Sequence, residues 1–363
     1  VAFCRMLVLV ALCALARGGF ALRCEGAPAS RSEEELMRAA LRAEYPLQRA
    51  EGALQFGLAI ESRDWILGQP VHVRVYVRND GPAAVSAPAN LVWPHGYELF
   101  VGLEGGELAR WLPPGYPPDL TPYAPAMPTV ELPAKDAIWC DVWLTLAAEQ
   151  EAAVAAGGSM KLSVAAEDRC GSWEGRTGRP EGARTDPVTL TLTAPQGRDA
   201  KAYQFLLDHA LGPLPPPDDP GGWVELKRED GTVRQYEEQL LLFLWNHPNS
   251  VYAPYAHWLV ATIVATAGAR QRVGPDAIEA EAGNLRLREH YGAVAKSGLP
   301  ALADEAWSKV ASAEWQLAHR EAAIAILERL VQQFPDSPWA ARARERLPRL
   351  RDLARLLRER EGR

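Results

Sequence analysis

The residues able to do chemistry are few and scattered. Seven histidines fall at His72, His95, His209, His247, His257, His290 and His319, and no HExxH helix is among them. The five cysteines form no CxxC pair, and there is no glycine-rich phosphate loop, GxSxG elbow or aspartate-rich calcium loop. The expectation is a non-catalytic chain that needs no cofactor and no metal. His72 shares a strand face with Arg74 and Arg78 and is expected to face solvent. His257, beside Trp258, is expected to be a packed surface histidine rather than a ligand.

Three other groups are candidates for binding or bridging. Cys140 and Cys170 stand on and just after neighbouring strand patterns, so a disulfide between them is one reading and two separate thiols the other. Trp139 and Trp143, four apart on a strand, fall on the face opposite Cys140, beside Asp141. Two large aromatics on an outward face need cover, either from the rest of the chain or from a partner. The stretch RWLPPGYPPDLTPYAPAMP, residues 110–128, is expected to be extended, as a lid or a recognition arm.

These groups need elements to hold them, and the chain is long enough for two domains. Its net charge of −7 argues against nucleic acid, which is bound through basic surface. Arg5 and the apolar run MLVLVALCALA, residues 6–16, followed by small residues, read as a signal peptide over residues 1–29, cleaved after Ala21 or Ala29. The chain is therefore expected to be exported, periplasmic or secreted. Arg23 before Cys24 argues against a lipoprotein, which wants a small residue there. No later segment has the roughly 20 apolar residues of a membrane span. Residues 30–53 are expected to be a linker or short helix.

From residue 54 to 194 the period is two. In PVHVRVYVRND, residues 70–80, four valines alternate with His72, Arg74, Tyr76 and Arg78, and NDG supplies a turn. IWCDVWLTL (138–146), MKLSVA (160–165) and VTLTLT (188–193) alternate likewise, with further strands expected at 54–61, 84–92 and 97–103. Short alternating strands with Gly and Pro punctuation predict an antiparallel β-sandwich. The stretch WILGQPVHVRVYVRNDGPAAV resembles the opening of bacterial immunoglobulin-like domains, which implies a fold and not an activity.

After Pro195 the period lengthens to three and four. Helices are expected at 199–211, 234–246, 251–267, 276–295, 301–318, 320–333 and 337–360, the last bent at Pro348, with the Pro-rich stretch 211–222 as linker. Counting about 34 residues from Asp304 puts Trp307, Ala311, Ala323, Leu327 and Pro335 where the tetratricopeptide repeat prefers an aromatic, two small residues, a large apolar residue and Pro. Glu314 departs from that pattern, standing where Tyr is common. FPDSPWA (334–340) and NHPNSVYA (246–253) share a turn in which Asp336 or Ser337, and Asn249 or Ser250, are expected to cap the next helix. Residues 199–360 thus resemble a short tetratricopeptide-like α-solenoid, of a kind found in bacterial cell-envelope proteins.

That resemblance implies a scaffold that holds a protein or peptide partner in a helical groove. Tyr252, Tyr255, Trp258 and Trp307 are the candidate groove residues, with Trp139 and Trp143 as a second patch. An alternative reading is a protease inhibitor acting through the strand-linking loop 167–187. The basic segment RARERLPRLRDLARLLRERE places Leu347, Leu350, Ala354 and Leu357 on one face, expected to cover the last repeat. A weaker reading of it is contact with anionic lipid or an acidic partner.

Overall fold

The computed structural model describes residues 54–60, 62, 64–88, 97–111, 129–144, 158–168, 184–212, 232–271, 277–335 and 337–361, together with Gln48, Arg49, Val154, Leu214 and Pro217. The chain divides into two compact units. One spans Val1–Trp65, Val71–Leu144 and Gly157–Thr193, and the other Ile66–Pro70, Thr145–Ala156 and Ala194–Arg363.

The strands are β1 (Gln48–Arg49), β2 (Leu54–Ile60), β3 (Asp64–Ile66), β4 (Val71–Asn79), β5 (Val85–Pro88), β6 (Tyr97–Leu103), β7 (Ala109–Arg110), β8 (Thr129–Leu132), β9 (Ala137–Leu144), β10 (Ser159–Asp168) and β11 (Val188–Thr193). They make a four-stranded sheet in the order β1-β2-β4-β9, a five-stranded sheet β3-β11-β10-β6-β7, and the pair β5-β8. The alternation of β4 sets the register of the first sheet. Val73 stands between Ile60 and Val142, and Val75 between Leu58 and Cys140, all on one face. The other face carries the pairs His72–Trp143, Arg74–Asp141 and Tyr76–Trp139.

The expected NDG turn closes β4 around a buried node. Asn79 Nδ2 donates to the carbonyls of Ala83, Leu132 and Pro133, and its Oδ1 accepts the Gly81 N–H. Its own backbone joins Lys135 and Asp136, so one side chain ties the ends of several strands. The strands β1, β3, β7 and β8 were not legible as alternation, because two to four residues are too few to show a period.

The helices are α1 (Gly197–Asp208), α2 (Val233–Asn246), α3 (Ala253–Gln271), α4 (Ala277–Lys296), α5 (Pro300–Gln316), α6 (Arg320–Gln333) and α7 (Pro338–Glu361). Each of α2 to α7 packs on its neighbour in sequence, and α7 also reaches α5. The expected bounds agree to within a few residues, since Pro and capping residues punctuate this half of the chain. α7 runs through Pro348 as one assigned helix.

Candidate functional site

The best-defined arrangement is the stack of α5, α6 and α7. Its core is Ala311, Ile324, Leu327, Leu330, Ala340, Ala343, Leu347 and Ala354. Trp307, Trp315, Phe334, Trp339 and Leu350 pack against its edge. Ala311 and Ala323 are buried, as expected of small residues where two helices approach closely. Between α6 and α7 the FPDSPWA turn is capped by Ser337. Its Oγ accepts the Trp339 N–H at 3.0 Å and the Ala340 N–H at 3.4 Å. Asp336 lies outside the described residues.

The related turn before α3 is held differently. Ser250 is buried, but the Val251 N–H is taken at 3.0 Å by Asp199 Oδ1, reaching over from α1. Val251 stands two residues before α3, so this bond ties the turn to α1 rather than capping the helix. The Ser337 turn has such a carboxylate too: the Ser337 hydroxyl donates to Asp304 Oδ2 of α5 at 2.5 Å.

Glu314 explains its own departure from the repeat pattern. Its carboxylate meets His319 Nδ1 at 2.6 Å and Arg288 of α4 at 3.7 Å. A polar link across α4, α5 and the start of α6 stands where an aromatic would pack. One layer earlier, His257 of α3 and His290 of α4 face each other with Nδ1 to Nδ1 at 2.8 Å. Their ring centroids are 5.1 Å apart, longer than the nitrogen separation by about two ring radii, so the nitrogens point head-on. This is a single hydrogen bond, one ring donating and the other accepting, which requires at least one neutral ring. Burial holds both groups near pKa 4; His290 adds to this for His257, and Arg286 for His290.

The candidate groove aromatics need correction. Tyr252, Tyr255 and Trp258 are buried core residues, not a partner surface. The Tyr252 hydroxyl donates to the Leu67 carbonyl at 2.6 Å, and Trp258 Nε1 donates to Pro217 O at 3.2 Å. Aromatic side chains with a polar tip satisfy that tip internally when they pack. Trp307 is half-buried against the α5–α7 core, with the Arg329 guanidinium 5.9 Å from its ring centroid.

On the first sheet, Trp143 is buried and Trp139 is half-buried under the Arg74 guanidinium. His72, expected in solvent, is 1% exposed and packs tilted against Trp143, with ring centroids 4.6 Å apart. Alternation identified the face correctly but not that this face is covered. Between the aromatic pairs Arg74 grips Asp141 with two bonds, of 2.6 and 3.0 Å, and His72 Nε2 lies 3.3 Å from Oδ1. Burial alone would raise the Asp141 carboxyl, but Arg74 and His72 outweigh it and hold it well below the usual carboxylate range. Cys140 is half-buried, with Sγ 3.7 Å from the Asp141 carbonyl oxygen. Cys170, the other end of the expected bridge, lies outside the described residues. So do residues 112–128 of the Pro-rich arm, 169–183 of the inhibitor loop and the leader with Cys24.

Among the described residues no group of three or more His, Cys, Asp or Glu side chains is placed to hold a metal ion. Among the same residues no helix is long and apolar enough to cross a membrane. Residues 304–347 match the family model of the tetratricopeptide repeat. No curated protein matches the chain. Among solved structures, the CARDB domain of a Pyrococcus furiosus protein, crystallised with di-metal ions, is 13% identical. That likeness covers 39% of this chain and 87% of the other, at a TM-score of 0.18. A β-glucosidase from Listeria innocua, in complex with gluconolactone, is 13% identical over 42% of this chain and 18% of its own, at a TM-score of 0.20. The present chain thus spans under a fifth of that enzyme's length.

Proposed function

We propose that this protein is a non-catalytic, extracytoplasmic scaffold that binds a protein partner through its helical unit. In this reading the strands form an immunoglobulin-like sandwich and the helices a short solenoid of three pairs closed by α7. The observation that carries it is the tetratricopeptide match over residues 304–347, which falls on helices that pack as such a repeat requires. Repeats of this type present rigid helix faces to protein partners, and their energy goes into stacking rather than chemistry. The export reading is supported by the residue pattern of positions 5–21 alone.

The test uses the full chain, tagged and expressed in a bacterial envelope, with in-cell crosslinking before purification. A saturable crosslink to one protein, lost when an excess of untagged chain competes, is the expected result. Absence of any saturable protein crosslink overturns the scaffold reading. Fractionation with and without residues 1–21 tests export separately: retention of the complete chain in the cytoplasm overturns that part.

A further inference from the structure

The outer side of α7 carries a pattern that stacking does not use. Its inward face, Ala340, Ala343, Leu347 and Ala354, is buried in the α5–α7 core. A second line of residues runs at alternating spacings of four and three: Arg342, Arg346, Arg349, Leu353, Leu356 and Arg360. At 3.6 residues per turn these spacings hold one stripe along a helix, here about 27 Å long. Leu353 is 44% exposed and Leu356 54%, while Arg346, Arg349 and Arg360 are exposed beside them. Arg342 lies over the Trp339 ring at 4.9 Å, which fixes one end of the stripe.

Glu345 and Asp352 flank this line, three residues after Arg342 and Arg349, but the arginines of α7 outnumber its acidic residues. Three arginines that make ion pairs fall off it. Arg351 meets Glu328 and Arg358 meets Glu321, both on α6, while Arg355 pairs with Glu359 of α7 itself. Arg351, Arg355 and Arg358 thus pair internally, while Arg346, Arg349 and Arg360 are exposed along another side. In a chain of net charge −7 such a line is a local reversal of sign.

We infer that this stripe is the docking surface for an acidic amphipathic helix of a partner protein. The inference rests on the scaffold reading and names the partner's chemistry. Glutamates and aspartates along one side of the incoming helix meet Arg346, Arg349 and Arg360, and a pair of its apolar residues covers Leu353 and Leu356. A straight stripe along one helix suits a second helix laid beside it, since both repeat at the same period. Charge complementarity selects an acidic partner and sets its direction and register. A membrane suits the surface less well. An interfacial helix buries a broad apolar face, and here Ala343, Leu347 and Ala354 are already buried in the α5–α7 core.

The test uses the full chain and two labelled synthetic helix-forming peptides of 18 residues, sharing one leucine pattern, with Glu or with Lys at the flanking positions. Fluorescence anisotropy is expected to show saturable binding of the Glu peptide that weakens with salt, and none of the Lys peptide. The double reversal R346E/R349E should lower affinity for the Glu peptide by about tenfold or more and create binding to the Lys peptide. Its thermal melt should match the wild type, because both positions are exposed. Equal binding of the two peptides, or an unchanged affinity in R346E/R349E, overturns the inference. So does a wild-type chain that ignores the Glu peptide while sedimenting with vesicles containing phosphatidylglycerol. If the in-cell crosslink persists undiminished in R346E/R349E, the scaffold reading stands and the stripe falls. If the wild type gives no crosslink, the scaffold reading fails by itself.

Discussion

Ser337 and Asp304 are joined by a 2.5 Å hydrogen bond in which the serine that caps α7 donates to a carboxylate of α5. The same hydroxyl oxygen accepts from the first amides of α7, so one atom terminates a helix and tethers it two helices back. Asp304 also accepts the Glu305 N–H at 2.7 Å, which orients its carboxylate.

Replacing Ser337 with Ala is expected to destabilise the helical unit by about 1 kcal/mol through the lost cap, with a further loss through the tether. In a double-mutant cycle S337A and D304A should couple by about 1 kcal/mol, measured by urea melts followed at 222 nm. Additive effects would mean that the tether contributes nothing beyond the cap.

Gly68 occupies the LGQP turn with φ at +87°, and an added Cβ would lie 2.6 Å from Tyr203 Cε2. Backbone and neighbour both demand glycine here. G68A is expected to cost more than about 1 kcal/mol, whereas Gly105, also at positive φ but with nothing within 4 Å, should tolerate alanine better. Paired thermal melts of the two variants compare them directly.

The His257–His290 pair predicts a pH dependence. Both rings titrate near pH 4 in the folded chain, against the ordinary 6.5. Between these values the unfolded chain binds more protons than the folded one, so stability rises with pH. The contribution is full above about pH 6.5, falls as the pH drops toward 4, and is flat below. Glu289 and Arg286 beside the pair, and Glu237 of α2 bound to Arg286, supply the surrounding charge. The melting temperature should decline across this window, and the variant H257F/H290L should flatten the decline. An unchanged slope in that variant would locate the dependence elsewhere.

Arg74 and Asp141 share a largely covered face, so removing one partner is expected to cost more than removing both. D141N leaves the guanidinium without its counter-charge and should cost about 3 kcal/mol. R74M/D141L, which replaces the pair by apolar groups, should recover most of that loss. Urea midpoints of the single and double variants decide the matter.

The sequence was informative where a period repeats often enough. Nine residues of β4 display four valines on one side, and this sets the register with β2 and β9. The helical half was legible for a similar reason, with Pro335, Ser337 and Pro300 marking its joints. Periodicity gives direction and not cover, which is why His72 and the groove aromatics were misplaced. A tyrosine or tryptophan on a helix has the same appearance in a groove as in a core. In the sequence the line through Arg346, Leu353 and Leu356 is masked by the stronger line through Leu347 and Ala354, which does face the core. The carboxylates of Asp199 and Asp304 were missed because their partners lie 52 and 33 residues away.

Glu314 has a bearing on how the helices come apart. A stack whose members touch only their neighbours can fray from its end, one layer at a time. Glu314 on α5 contacts both Arg288 on α4 and His319 at the head of α6, so separating either one strips the shared carboxylate of a partner. Opening α6 alone leaves α5 and α4 less well balanced, which favours the loss of all three in one cooperative step. Amide protons across α4, α5 and α6 should therefore exchange at a common rate, set by a joint opening rather than by distance from the chain end.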